Sequence, residues 1–227
     1  MKMLVICSGG IDSVAMAAMN VRNARLKDEL ILMTFNYGQK GIRELNAVYK
    51  VAERLYAKVI MVDISSLGFI FGKDQQLSGD VEIEDNYSPS VVVPLRNAVF
   101  LQIAMVYAYA HGLDKVILGS HLDDITEVDG ERLYPDCSPE FFKAFELAMD
   151  LGTFRRQKRV RVESASILGI TKVDLIKRGY LVLGSLMFET WSCYYSGEKH
   201  CGVCESCRNR KKAFAEARVE DKTQYEK

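Results

Sequence analysis

A chain of 227 residues with 48% hydrophobic content can bury one substantial core, which favours one main domain with a small appendage over two equal halves. Its 30 basic and 30 acidic residues cancel, which argues against a protein that holds polynucleotides by their phosphates and favours a small substrate. No apolar run reaches the roughly 18 to 20 residues needed to span a bilayer, and the first residues are strand-like rather than the start of a signal peptide, so the expectation is a soluble cytoplasmic protein with no membrane partner.

An apolar strand, Met3 to Cys7, is broken by Ser8, Gly9 and Gly10, and a helical pattern follows over residues 13–27. Leu30 to Phe35 and Lys58 to Asp63 predict further strands with a helix over 43–57 between them, and a helix over 95–111 leads to a fourth strand at Lys115 to Gly119. These strands are apolar or β-branched throughout instead of alternating, as expected of parallel strands covered on both faces. The helical segments place Ala, Leu, Val, Met and Tyr at spacings of three and four. This β-α order predicts an α/β fold with a doubly wound, mainly parallel sheet. Residues 64–93 fit neither period; with their Gly, Ser, Asp and Pro they read as an excursion over the strand ends, where such folds carry function. Met105, Tyr107 and Tyr109 read as core and surface of the third helix, and His111 as its end, near the negative pole of the dipole. The basic run 155–161 (RRQKRVR) reads as a solvated strand edge or a dimer contact.

The break after the first strand is chemically specific. Where a parallel strand turns sharply into a helix, the first helical N–H groups lack partners and the dipole places partial positive charge there, which makes the turn an anion site. Ser8, Gly9, Gly10, Asp12 and Ser13 supply permissive backbone, capping oxygens and hydroxyl donors within six positions, a composition that suits pyrophosphate. The Gly-Lys-Ser/Thr ending of a lysine-clamped γ-phosphate loop is missing, and so is the GxGxxG of dinucleotide sites.

Residues 191–207, WSCYYSGEKHCGVCESC, bring Cys193, Cys201, Cys204 and Cys207 close enough in sequence to close a tetrahedral zinc shell with no open position for chemistry. An iron–sulfur cluster takes the same donors and stands as the rival, while disulfides are disfavoured in the reducing compartment expected for this chain. His200 reads as a surface or outer-sphere residue, and Cys7 and Cys137 as small buried hydrophobes. The expected organisation is a nucleotide-binding α/β domain over 1–180 with a small, helical, zinc-binding region over 181–227 packed on it.

SGGIDS, residues 8–13, resembles the SGGxDS loop of the PP-loop ATP pyrophosphatases, which use ATP to adenylate a carbonyl or carboxylate oxygen. Five ordered segments extend the likeness over almost the whole chain and resemble the 7-cyano-7-deazaguanine synthases of that superfamily. They are SGGIDS, FNYGQ at 35–39 with Glu44 and Leu45 after it, VPLRN at 93–97, YPDC at 134–137 followed by Phe141, and TWSCY with CGVCESCRNRKKAF within 190–214. The resemblance implies an ATP-dependent carbon–nitrogen ligase that converts 7-carboxy-7-deazaguanine and free ammonia to the nitrile, a precursor of queuosine and archaeosine. It implies ATP and Mg²⁺ at the loop, zinc on the four cysteines and no direct nucleic-acid partner; the expected assembly is a homodimer.

By that match Ser8, Gly9, Gly10, Asp12 and Ser13 take the ATP phosphates, with Asp12 reaching Mg²⁺ indirectly. Tyr37, Gly38 and Gln39 line the nucleotide or substrate pocket. Arg96 pairs a phosphate or the substrate carboxylate, Asn97 reads a purine-like edge, and Tyr134 and Asp136 hydrogen-bond the deazaguanine ring. Ser8, Asp12, Ser13 and Arg96 form the expected catalytic set. The plain alternatives are a strand–helix turn at Ser8, a Tyr-Gly turn at 37–38, helix capping at 96–97 and a turn around Pro135. Leu95 stands where the family usually has glycine, Gly41 where a histidine commonly follows YGQ, and Ser138 where an arginine follows YPDC; the segment 119–134, with His121, Asp123 and Asp124, is longer than usual. Other readings are a deazapurine ligase that stops at the amide, a PP-loop tRNA thiolase whose tRNA binding would depend steeply on salt, and a zinc-stabilised nucleotide-binding protein without turnover.

Overall fold

The computed structural model describes residues 1–22, 29–40, 43–71, 93, 95–128, 130–154 and 158–227. Gly41, residues 72–92 of the expected excursion, Pro94, the end of the first expected helix and the basic residues 155–157 lie outside them.

In chain order come β1 (Lys2–Ile6), α1 (Ile11–Arg22), β2 (Glu29–Asn36), α2 (Glu44–Leu55), β3 (Lys58–Asp63), a 3₁₀ turn at Ser65–Phe71, α3 (Arg96–His111) and β4 (Lys115–Leu118). A two-residue hairpin of β5 (Glu127–Val128) and β6 (Glu131–Arg132) follows, then α4 (Pro139–Gly152), β7 (Arg161–Ser164), α5 (Lys172–Leu183) and α6 (Glu205–Ala217). The main sheet is parallel throughout, in the order β3-β2-β1-β4-β7. Its first four strands fall within one residue of the segments expected for them. The fifth is an edge strand that takes in the end of the basic run, and α4 and α5 are helices that the sequence pattern does not single out.

The continuous apolar character of β1 has a direct explanation in the two cores. Successive side chains of a strand face opposite ways. Met3, Val5 and Cys7 enter one core with residues of α1, α2, α5 and α6. Leu4, set opposite Ile31 of β2 and Val116 of β4, enters the other with Phe100, Leu101 and Ala104 of α3 and Phe142 of α4. Both faces of the central strand are therefore dry, and a polar residue at any of these positions would be buried without a partner. Met105 lies in the second core, as expected, while Tyr109 hydrogen-bonds Asp150 Oδ1 at 2.9 Å and Tyr107 stacks on His111.

This strand order puts the reversal of winding between β1 and β4, where the two connections leave in opposite directions and open a crevice at the carboxyl ends. Gly119, the first residue after β4, sits against the start of α1: a Cβ there would lie 2.6 Å from the Ser13 nitrogen. Only a residue without a side chain lets β4 pass so close to the helix N-terminus.

The C-terminal residues share the first core. Ala213, Phe214 and Ala217 of α6 pack with α1 and α5, and α6 carries a fully buried arginine, Arg210. All five of its N–H bonds have acceptors: Thr223 Oγ1 takes two, Thr190 Oγ1 and Ser192 Oγ one each, and the Met187 carbonyl one. The guanidinium plane also lies over the Phe214 ring at 5.2 Å. A planar fork of fixed donors thus ties α6 to the segment that precedes the cysteines and to the tail that follows. We expect Gly119→Ala to lower stability by about 2–4 kcal/mol, read as a drop in the urea midpoint at unchanged slope, because backbone on both sides of the contact leaves nothing flexible to give way.

Candidate active site

A cleft of about 660 Å³ opens at the carboxyl ends of β1, β2 and β4. Its first wall is the bend after β1. The Ser8 amide donates to Ser13 Oγ at 3.2 Å, the Gly10 amide to Ser8 Oγ at 3.2 Å, and Ser13 Oγ in turn donates to the Gly10 carbonyl at 3.2 Å. Val14 N–H closes the first helical turn on the same carbonyl. The amides of Ile11, Asp12 and Ser13 begin α1 and have no preceding turn to bond, so they are the natural anion donors. Gly9 is not part of the wall; its φ of +89° and the 1.9 Å that would separate a Cβ from the Glu44 carbonyl oxygen show that it lets the bend rest on the start of α2. Trp191 N–H donates to the Gly9 carbonyl at 3.0 Å from the far side.

Next to the bend lies a cluster in which the sequence reading gives a role to Asp12 alone. Asp12 Oδ2 receives Lys172 Nζ at 2.7 Å, and Asp12 Oδ1 lies 3.7 Å from His121 Nε2. His121 is buried, with Asp123 and Asp124 carboxylates also within 3.5 Å of its ring nitrogens. Burial pushes the Asp12 carboxyl up, but Lys172 and then His121 outweigh it and hold the group below its ordinary range. Asp124 goes the other way: burial and the charge of Asp12 raise it against the pull of His121. Asp12 Oδ1 is buried without a hydrogen bond among the described residues. The orphaned oxygen and its acidic neighbour suit a hard cation, and Asp12 and Asp124 are the groups that would face one.

Across the cleft, Arg96 at the start of α3 donates to Tyr37 Oη at 3.0 Å and lies 5.9 Å over the Phe100 ring. Gln39 bridges the Phe35 carbonyl and the Glu44 carboxyl at 3.0 and 3.1 Å. Glu44 is half-buried, and its carboxyl is pushed up to about 7 by desolvation, against Gln39 and Arg96, which favour its charge. Asn97 donates to Asp136 from both its backbone, at 3.3 Å, and its side chain, at 3.2 Å. Burial raises the Asp136 carboxyl, with Arg96 and Asn97 opposing. Leu95, at the position where glycine is usual, has φ +54°, a left-handed conformation that costs an L-residue about 1–2 kcal/mol.

The remaining wall comes from the cysteine region. Cys193, Cys201, Cys204 and Cys207 bring their sulfur atoms within 4.8 Å of one another. Backbone N–H groups of Tyr195 and Cys201 donate to Cys193 Sγ, and that of Cys204 to Cys201 Sγ, an arrangement that favours thiolates. Four buried or half-buried sulfurs at such spacing fit a metal ion with no open position. Cys193, Tyr194, Trp191 and Glu205 face the cleft, so the cysteine segment also shapes the pocket. His200 is buried rather than on the surface: it packs tilted against Trp191, accepts the Ser192 amide at 3.1 Å, and is kept neutral down to about 4, chiefly by burial.

Of the twelve expected phosphate and substrate residues, the cleft collects Ser8, Gly10, Asp12, Ser13, Tyr37, Gln39, Arg96, Asn97, Tyr134 and Asp136; Gly9 and Gly38 lie outside its lining. Sequence reasoning passed over Lys172 and named His121, Asp124 and Glu44 without giving them a role. His-Leu-Asp-Asp directly after a parallel strand carries a readable signal, because ligand contacts gather at that end. Lys172, at the first position of α5, carries none.

A parallel sheet with SGGIDS at its switch point, a helix N-terminus open to the cleft and cationic side chains opposite defines a protein of the PP-loop fold class. Within that class the chain belongs to the family described as queuosine biosynthesis protein QueC, whose model matches residues 2–218. The 7-cyano-7-deazaguanine synthase of Thermoplasma acidophilum is 37% identical over 230 residues, covering 100% of this chain and 92% of the relative. That of Allorhizobium ampelinum is 35% identical over 232 residues, covering 100% and 93%. Among solved structures, a 4-thiouridine synthetase–RNA complex with bound ATP aligns over 96% of this chain and 50% of its own, with 16% identity and a TM-score of 0.49.

Lys172→Met removes the cation that holds Asp12 charged, at an expected cost of about 1–3 kcal/mol near pH 7 for a partly exposed pair. Because the folded-state pKa of Asp12 is depressed, this stabilisation is present above the ordinary carboxylate range and lost as pH falls through the folded value. Urea unfolding at a series of pH values should therefore show the gap between variant and parent closing on acidification.

Proposed function

We propose that this chain is an ATP-dependent ligase that converts 7-carboxy-7-deazaguanine and ammonia to 7-cyano-7-deazaguanine. The observation that carries the reading is one continuous cleft, in which the open helix N-terminus at Ser8–Ser13 faces Arg96, Asn97 and Asp136. Membership of a family whose relatives bear that activity in their names supports it.

A carboxylate is a poor electrophile, since its charge repels a nucleophile and oxide does not leave. Adenylation replaces oxide with AMP, ammonia displaces AMP to form an amide, and a second adenylation on the amide oxygen followed by loss of AMP leaves the nitrile. Each step needs charge control and positioning more than covalent help. Ser8, Gly10, Ser13 and the first α1 amides bind the phosphates, with Gly9 setting their approach, and Arg96 neutralises the carboxylate or the α-phosphate. Tyr37, Gly38 and Gln39 form and support the adjoining wall, and Asn97, Tyr134 and Asp136 read the polar edge of the base. Asp136 is already fixed by Asn97, so the recognition surface is organised in advance.

Mg²⁺ accompanying ATP would be held at Asp12 and Asp124 and would supply charge neutralisation. Zinc on Cys193, Cys201, Cys204 and Cys207 would supply no chemistry; it anchors residues 191–195, which wall the cleft. A metal-binding region at 181–227 packed on a nucleotide-binding domain at 1–180, acting in the cytoplasm as a homodimer, completes the reading. The exposed apolar side chains of Leu147, Leu151 and Phe154 at the end of α4 offer a surface for that dimer to cover.

Purified chain incubated with ATP, Mg²⁺, ammonium and 7-carboxy-7-deazaguanine is expected to yield the nitrile by mass spectrometry, with two AMP and two pyrophosphate per product. Amide alone, or no turnover, overturns the assignment. Arg96→Met should lower turnover by about 10²–10³-fold, the usual loss for a donor aimed at developing charge. Metal analysis should find one zinc per chain and no visible iron–sulfur absorption.

A further inference from the structure

Five carboxyls of the cleft differ in how they are held. Asp12 is paired with Lys172, Asp136 accepts two hydrogen bonds from Asn97, and Asp124 accepts the His121 amide at 2.9 Å. Glu205 accepts Tyr194 Oη and Asn209 Nδ2 at 3.0 and 3.2 Å. Glu44 is different: it is half-buried, and among the described residues its carboxyl takes one hydrogen bond, from the neutral amide of Gln39, and forms no salt bridge. Its position is also fixed. Glu44 is the first residue of α2, its carbonyl rests on Gly9 of the phosphate bend, and its side chain lines the cleft between that bend and the Arg96–Tyr37 pair.

We propose that Glu44 is the general base that takes a proton from ammonium as it attacks the acyl adenylate, a role that rests on the ligase reading above. At neutral pH the nitrogen source is overwhelmingly a cation, and a cation has no lone pair to attack with. A carboxylate against the apolar floor of Phe35, Phe100 and Leu118 attracts a small monovalent cation and becomes a better proton acceptor through the same burial. The protons balance. One passes from ammonium to Glu44, and the nitrogen lone pair forms the C–N bond. As the C–O bond to the phosphate breaks, its electron pair leaves with AMP, and a second nitrogen proton departs with AMP or to water, leaving the amide.

Glu44 is faced by Cys7 from the end of β1, Tyr37 and Gln39 from the end of β2, and Arg96 from α3. Burial pushes both Cys7 and Tyr37 upward, and Arg96 remains charged, so in the window around pH 7 Glu44 is the group among these four that changes charge. Its folded value, about 7, matches the working pH that a base requires.

The test compares ammonium with hydroxylamine, a nucleophile already unprotonated at neutral pH, in the full-length protein with ATP, Mg²⁺ and 7-carboxy-7-deazaguanine. Glu44→Gln should lower amide formation from ammonium by about 10²-fold or more while hydroxamate formation falls at least tenfold less. In the parent protein, which needs no variant to fold, amide formation per total ammonium should rise with a midpoint near pH 7 and then level, whereas hydroxamate formation should show no such limb. Equal losses with the two nucleophiles, or an ammonium profile that keeps climbing into alkaline pH with free ammonia, overturn the base. Pyrophosphate exchange into ATP that depends on the carboxylate substrate, measured in the parent, tests the ligase reading by itself: its absence removes both proposals, its presence with equal losses removes only Glu44.

Discussion

Everything at this site depends on an unpaired helix N-terminus brought to a crevice in the sheet. The amides of Ile11, Asp12 and Ser13 have no preceding turn to satisfy them, and the chain keeps them near the strand ends through two backbone contacts that only glycine permits. Gly9 rests on the start of α2, and Gly119 brings the end of β4 against Ser13. Neither glycine needs to touch a ligand to matter. They set the distance between elements that do.

Around this fixed donor set, similar carboxyls acquire different properties from their neighbours. Lys172 and His121 keep Asp12 charged, while the same burial without a strong partner leaves Asp124, Asp136 and Glu44 shifted toward the neutral form. The cleft thereby holds a charged carboxylate beside the bend, at Asp12, and a carboxyl shifted toward its neutral form on the opposite wall, at Glu44. Residues 191–195 close the third side, joined to the bend by the Trp191 amide and fastened from behind by Arg210.

Much of the sheet was legible because β1 to β4 are buried on both faces and so carry unbroken apolar runs. β7 was not singled out, since it is a four-residue edge strand that opens on an exposed arginine and carries a charged Glu163. The geometry of the bend at residues 8–13 and of the cysteine cluster was legible for a different reason: their groups are close in sequence, so spacing reports geometry. Lys172 and Asp12 meet across 160 positions, and nothing local to either announces the other. Glu44 could be quoted as part of a motif but not given a task, because its burial and its single partner exist only in the fold.

The clasp formed by Arg210 bears on the order in which the site can mature. The bend lies at residues 8–13, yet the amide that pins Gly9 belongs to Trp191, and two of the five guanidinium bonds end on Thr223. All five strands of the main sheet precede Ser164 or end on it, so they are complete in sequence before the segment that latches the bend begins. The third wall of the cleft is thus latched only once the segments around Met187–Ser192 and Thr223 have met Arg210 on α6.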